Sequence, residues 1–538
     1  MRARSLVPAV LLAAGLAACT STPPPTKDTS QWWSHVSTLA SDRFQGRLTG
    51  SEGYQQAATY VADQFRRLGL EPAGADGYLQ PVSYEVQSVF YEQSSATLRD
   101  GAGQIRPFAL GEDMLLSAGA EQTPKVTAPL VFIGYGLHLP ELGHDDFAGV
   151  DLQGKIAVYL SGAPSGVSGP LQAFARAEEL AKALAAKGAV GALSVQTPAV
   201  MEIPWDRQRL AATAPGMYLT EPELRRYRAP MLIGTINPAS AQRLFDGAPQ
   251  SFAALAALAD AHQPLPHFAL AFTLSADIKA DHARIKADNV VAELPGSDPQ
   301  LADQAVVLSA HLDHLGTGKP DSNKSMGGDG IFHGAMDNAS GIASLLEVAR
   351  MIQAEGRPKR SILFVAVGGE EKGLLGSRFF AAHPTRHVGE LVADINMDMF
   401  LPLFPLKKMV AYGADESSLG ADAKAVAEHE RLAIVPDPAP DHLVFVRSDQ
   451  YSFIRRGVPA LMLAFAADDH EQEALQHAWF KERYHGQADN LDQPIDLGAA
   501  DAYDRYLVEL IGRVANDGAV PQWRDGSFFK RFAATPLK

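Results

Sequence analysis

Four short stretches of this chain carry imidazoles and carboxylates, and three of them directly follow a predicted strand. Residues 305–309 lead into Ala310-His311-Leu312-Asp313-His314, residues 361–367 into Gly368-Gly369-Glu370-Glu371, and residues 391–396 into Met397-Asp398. The fourth, Gly334-Ala335-Met336-Asp337-Asn338-Ala339-Ser340-Gly341, opens a stretch with helical spacing. Carboxylate oxygens and imidazole nitrogens converging from rigid elements are what a divalent metal site requires. A further carboxylate beside the ligands is what base-assisted hydrolysis requires. Each group also has an ordinary reading. Glu370-Glu371 could begin a helix, where its charge meets the positive end of the dipole, and Asp337 could cap the helix that follows it. The glycines on both sides of the glutamate pair, and the buried strand before it, favour the metal reading.

For these segments to meet, one scaffold must carry them. The second half of the chain alternates apolar runs with helical periodicity: strands are expected at 289–294, 305–309, 361–367, 391–396 and 460–465, and helices at 340–353, 373–382, 419–431 and 500–514. Such alternation predicts an α/β fold with a mostly parallel mixed sheet sandwiched by helices. Function in such sheets collects beyond the carboxyl ends of the strands, so all four stretches fall along one edge. Earlier, Ala57, Ala58, Val61, Phe65 and Leu68 have helical spacing, with Ser51 as N-cap and Gly69 as stop. From about Gly111 the texture changes. Strands at 130–136, 155–160 and 189–195 surround an alanine-rich helix at 175–186, which reads as a smaller β-rich α/β unit. A packed helix is expected at 252–261.

The set His311-Leu312-Asp313, Gly334 to Gly341, Gly369-Glu370-Glu371-Lys372-Gly373, Asn396-Met397-Asp398 and Tyr484-His485 resembles the co-catalytic two-zinc exopeptidases, which include bacterial leucyl aminopeptidases and glutamate carboxypeptidases. The loop from Arg43 to Gly53 matches as well, and the smaller unit is similar to the protease-associated domain inserted in several peptidases. The resemblance implies two Zn2+ per chain, bridged by Asp337. His311 and Asp398 would complete one site, Glu371 and His485 the other. Asp313 would orient the His311 ring. Glu370 would be the general base for a water between the two zinc ions. The peptide bond after Asp337 would be cis. Two positions depart from the family. Met336 stands where many members have aspartate, and Ser448-Asp449-Gln450 replaces Ser-Asp-His. Asp449 is assigned to lining the site or supporting His485. Only the family pattern singles out His485, with His470 as the fallback, while His314, His333, His470 and His477 otherwise read as structural or exposed.

The implied activity is removal of N-terminal residues from peptide substrates, because a carboxylate-rich site suits a free amine. A carboxypeptidase would need cations such as Arg447, Arg455, Arg456 or Lys324 for the terminal carboxylate. A single-zinc acyltransferase of the glutaminyl-cyclase type and a non-enzymatic surface scaffold are the remaining readings.

Composition narrows the setting. The 538 residues hold 62 acidic against 47 basic side chains, a net charge of −15, which repels nucleic-acid phosphates and excludes them as partners. The lone cysteine, Cys19, closes a leader: a basic start at Arg2 and Arg4, an apolar core over 6–14, then Leu16-Ala17-Ala18. That core is too short to span a bilayer and reads as a signal peptide. Its ending resembles the bacterial lipobox, in which the cysteine is acylated. A lipid-anchored protein of the cell envelope follows, facing the periplasm or exterior with the outer membrane favoured, and touching the membrane through its lipid alone. The expected division is a leader over 1–19, a tether over 20–30, catalytic parts over 31–110 and 267–525, the insertion over 111–266, and a tail over 526–538. Oligomeric state is left open.

Overall fold

A computed structural model describes residues 26, 27, 30–198, 201, 204–318, 328–385 and 390–534. The leader with Cys19, most of the tether, Lys324 and the last four residues of the tail lie outside the described residues.

The strand Gln304–His311 shows why the main sheet is covered on both sides. Successive side chains of a strand point to opposite faces. Val306, Leu308 and Ala310 enter one core with the helices Gln31–Leu39, Glu52–Arg67, Ser340–Glu355 and Leu497–Asn516. Ala305 and Val307 enter another with Phe380 of Leu375–Ala382 and Phe453 of Gln450–Ile454. A strand buried on both faces reads as a near-continuous apolar run, and Ala305 to Leu308 form one before the buried Ser309. Among the described residues, the sheet has ten strands. Its centre runs Ser361–Val367, Gln304–His311, Glu390–Asn396, Ala460–Ala466, all parallel. Antiparallel strands flank them: Ala280–Leu294 beside Ser361–Val367, and Lys408–Tyr412 beside Ala460–Ala466. The four parallel strands therefore end at one edge. Ser51 caps the Glu52–Arg67 helix as the sequence predicts, accepting the Tyr54 N–H at 3.1 Å, and Gly69 takes the left-handed φ of 73° that ends it.

Eight strands build a second sheet, in the order Ile105–Pro107, Ser95–Arg99, His267–Asp277, Lys125–Ile133, Ile156–Leu160, Gly191–Val195, Leu232–Ile236, Met114–Leu116. It reaches beyond the expected interval of 111–266 on both sides, while Gly216–Leu219, inside that interval, pairs with Leu79–Val89 of the first sheet. His267–Asp277 and Ala280–Leu294 are separated only by Ile278 and Lys279 yet belong to different sheets. His267–Asp277 alternates buried and more exposed positions, whereas Ala280–Leu294 begins largely exposed and is continuously buried from Asn289 onward. Among the described residues, no helix is long and apolar enough to cross a membrane.

Candidate metal centre

Each of the sequence-singled residues sits where a strand or turn forces its direction. His311 ends its strand, and the chain is tied down at once by the Leu312 N–H donating to the Val367 carbonyl at 2.8 Å. Asp337 lies in the distorted turn Ala335–Ala339 ahead of the helix Ser340–Glu355, and its peptide bond to Asn338 is cis. Its carboxylate does not cap that helix. Asn338 does so instead, its Oδ1 accepting the Gly341 N–H at 2.9 Å. A Cβ on Gly341 would lie 2.4 Å from that oxygen and 2.6 Å from the Met397 carbonyl, so only glycine fits the approach. Glu370 and Glu371 follow Gly369, whose φ is 73°, and the next helix begins only at Leu375. The pair thus occupies a turn rather than a helix start. Asp398 follows the strand Glu390–Asn396. His485, after the helix His470–Glu482, holds a φ of 52° that non-glycine residues adopt at a cost. The Tyr484 ring stacks on it, centroids 3.9 Å apart.

The two oxygens of Asp337 face two different histidines. Oδ1 is 3.2 Å from His311 Nε2, which is also 3.3 Å from Asp398 Oδ1. Oδ2 is 3.3 Å from His485 Nε2, which is also 3.2 Å from Glu371 Oε2. Two histidine–carboxylate pairs therefore share one central carboxylate. His311 and Asp337 are buried, whereas the His485 side chain is 36% exposed, so the cluster opens on that side. Imidazole nitrogens and carboxylate oxygens gathered this closely are the donors that zinc takes; His311, Asp337 and Asp398 form one group close enough to hold an ion, and His314, Asp337 and Glu371 a second.

The electrostatics point the same way. Burial would drive protons off His311, but Asp398 and Asp337 outweigh it and hold its pKa well above the usual imidazole range. His485 is raised likewise, with Glu371 and Asp337 overcoming burial. Burial pushes Glu371 up, yet His485 and His314 bring it down to about 2. Asp337 is held well below the carboxylate range against burial by His314, His311 and His485. The cluster demands positive charge at the points where metal ions would supply it. Glu370 behaves oppositely. Burial, with Glu371, Asp398 and Asp449 nearby, raises it well above an ordinary glutamate, only partly countered by His311.

Several placements differ from the sequence reading. The His311 ring is oriented by the backbone carbonyl of Asp313, 3.1 Å from Nδ1, rather than by its carboxylate, which stands 3.8 Å away. The chain turns so tightly after His311 that the carbonyl arrives first. The Asp313 carboxylate instead accepts the Thr49 hydroxyl at 2.9 Å and the Glu370 backbone N–H at 3.1 Å, which fixes the glutamate turn. His314, read as structural or exposed, is fully buried at the site, with Nδ1 2.7 Å from Glu371 Oε1 and 3.9 Å from Asp337 Oδ2. Its position three residues after His311, where the chain folds back over the same edge, was the available signal. Asp449 is fully buried, and neither carboxylate oxygen has a hydrogen-bond partner among the described residues. Burial raises it to about 7, and the charges acting on it are His311, Asp398 and Asp313 rather than His485. His333 is buried against Ala40 O and Asp329, and His470 is exposed beside Glu473. Arg455 pairs with Glu178, and Arg447 donates to the His442 carbonyl. Sequence reasoning missed Asp489 and assigned no role to Arg47. Both are fully buried, Asp489 raised by burial to about 6 and Arg47 lowered by burial to about 10.

Residues 289–511 match the model of Peptidase family M28. That stretch holds all five candidate ligands and Glu370. Beyond it, the chain has the α/β fold of an aminopeptidase from Aneurinibacillus sp. strain AM-1, with a TM-score of 0.53 at 20% identity over 91% of this chain and 94% of that one. In sequence it is 43% identical over 98 residues to a probable zinc metalloprotease of Pyricularia oryzae, covering 18% of each. It is 27% identical over 193 residues to aminopeptidase Y of Saccharomyces cerevisiae, covering 34% of this chain and 31% of that one. The chain thus spans less than a third of the length of either relative.

Proposed function

We propose that this protein is a zinc-dependent aminopeptidase that hydrolyses the first peptide bond of peptide substrates. The observation that carries this reading is the central carboxylate of Asp337, whose two oxygens each meet a separate histidine–carboxylate pair. His311 and Asp398 would hold one zinc, His485 and Glu371 the other, and Asp337 both. Zinc bound there supplies Lewis-acid polarisation of the scissile carbonyl and of the attacking water. Everything else falls to the chain. The Asp313 carboxylate holds the Glu370 backbone N–H, so the glutamate turn keeps its position through turnover. Glu370 accepts one proton from the attacking water as the new C–O bond forms. It returns that proton to the nitrogen as the C–N bond breaks, so the proton balance closes within one side chain. A carboxyl whose proton affinity is raised by burial is a better proton acceptor than an ordinary glutamate. The surplus of carboxylates favours a substrate's free ammonium over a terminal carboxylate. The leader further supports an envelope lipoprotein anchored through Cys19.

A panel of peptides with free and blocked termini, assayed with the metal-loaded protein before and after chelation, tests this reading. Cleavage that needs a free amino terminus, vanishes on chelation and returns with zinc is expected. Cleavage of amino-blocked peptides that needs a free carboxyl terminus would overturn the aminopeptidase reading. Cleavage indifferent to chelation would overturn the metal reading.

A further inference from the structure

The loop that presents Asp337 is short, irregular and almost entirely buried, so its peptide groups must find partners outside a helix or sheet. They find them in two residues outside the ligand set. The Arg47 guanidinium, itself 0% exposed, donates to four backbone carbonyls: Leu312 through Nε at 2.9 Å, Leu39 and His333 through Nη1 at 2.7 and 2.8 Å, and Gly334 through Nη2 at 2.9 Å. Asp489, also 0% exposed, faces the next residues. Its backbone carbonyl accepts the Ala335 N–H at 3.1 Å, and its carboxylate accepts the N–H groups of Met336 at 2.9 Å and Asp337 at 3.0 Å. Five consecutive residues, 333 to 337, are thus gripped, the first two through their carbonyls by the Arg47 cation and the last three through their amides by the backbone carbonyl and carboxylate of Asp489. Arg47 also touches the carbonyl that follows His311, and Asp489 lies four residues after His485 on the same loop. Each therefore ties the Asp337 loop to the segment of a different histidine.

The geometry points to Arg47 and Asp489 as a positioning pair that holds the Asp337 loop in the shape from which its two carboxylate oxygens reach both histidine–carboxylate pairs. Neither touches the reacting atoms. Their chemistry suits such a role, because a planar fork with five donors can satisfy several carbonyls at once, and a carboxylate can accept from adjacent amides at fixed angles. Gln493 extends the device, donating to Asp489 Oδ1 at 2.8 Å while accepting the Trp479 indole N–H at 2.9 Å. The inference rests on the zinc reading above for what the loop is held ready to bind, but the holding itself can be measured without metal.

The experiment compares Asp489→Asn, Arg47→Lys and Gln493→Leu with the wild type in the full chain. Two quantities are read: zinc affinity by competition with a chelating indicator, and amide hydrogen exchange at Met336 and Asp337 in metal-free protein. The variants are expected to bind zinc about 10–100-fold more weakly, as losses of outer partners typically do, with Gln493→Leu at the mild end. Asp489→Asn is expected to speed exchange at Met336 and Asp337 while the remaining amides keep their protection. A merely structural role would lower thermal stability and protection throughout and leave affinity at low temperature unchanged. Unchanged affinity and local exchange in a folded Asp489→Asn protein would overturn the proposal. If Asp489→Asn does not fold, Gln493→Leu decides, and unchanged affinity there has the same meaning. Should the wild type bind no zinc, the functional reading fails on its own, and the exchange at Met336 and Asp337 still tests the grip.

Discussion

Asp504 offers a prediction whose size follows from its surroundings. It sits on the helix Leu497–Asn516, 3% exposed, facing Ser344 of the helix that Asp337 precedes, and its Oδ1 has no partner among the described residues. Burial, with Glu347 and Asp501 nearby, raises its pKa from 3.8 to about 8. The folded chain thus keeps a proton that the unfolded chain releases between those values. Below about pH 4 both states are protonated and the group costs nothing. As pH rises the folded state is increasingly penalised, up to a plateau above about pH 8. At ~1.4 kcal/mol per pH unit the ceiling is about 6 kcal/mol at that plateau and about 4 kcal/mol at pH 7. Asp504→Asn keeps the shape and removes the ionisation. The variant should be the more stable protein at pH 7, by up to about 4 °C in Tm for a chain of this length, and the difference should shrink toward zero only below about pH 4. Thermal unfolding of both proteins at each pH, with equal metal present, measures it, because the metal's own pH dependence then cancels. A difference that is constant with pH, or a variant less stable at pH 7, would refute the reasoning.

Three further outcomes follow. Glu370→Gln should keep its zinc but lose about 10²- to 10⁴-fold in kcat, as elemental analysis beside peptide hydrolysis would read, whereas a variant that loses metal would make Glu370 a ligand instead. His314→Ala removes the partner 2.7 Å from Glu371 and should weaken zinc binding by about 10–100-fold; chelator competition on the folded variant would detect it. Trp32→Ala removes a fully buried indole whose N–H donates to Ser340 O at 3.2 Å and Ser344 Oγ at 3.1 Å, and should cost about 3–5 kcal/mol, seen as a lower denaturant midpoint.

What could be read from the sequence, and what could not, follows the physics of each element. The four parallel strands were legible because burial on both faces demands largely apolar runs, broken here only by a few buried polar residues such as Ser309, Asp394 and Asn396, and three of their ends marked where His311, Glu370, Glu371 and Asp398 must gather. Asp337 was legible through the glycines around it. His485 was not legible from pattern, because it stands in a loop at left-handed φ with no periodicity about it. Only family resemblance reached it. His314, Arg47 and Asp489 were hidden for a different reason. Polar residues are ordinarily taken as exposed, and their burial arises only when segments far apart in sequence close over them. The extent of the second sheet was hidden because only Ile278 and Lys279 separate a strand of one sheet from a strand of the other.

The most direct test of the shared-carboxylate centre is the zinc content of the metal-replete wild type beside three variants: Asp398→Ala and Glu371→Ala, each of which strips one half of the site, and Asp337→Ala, which strips the carboxylate they share. Two zinc ions per chain are expected in the wild type and one in each of the first two variants, with Asp337→Ala retaining none firmly. One zinc ion in the wild type, or one of the first two variants emptying the site while the other leaves it intact, would contradict a centre built on one shared carboxylate.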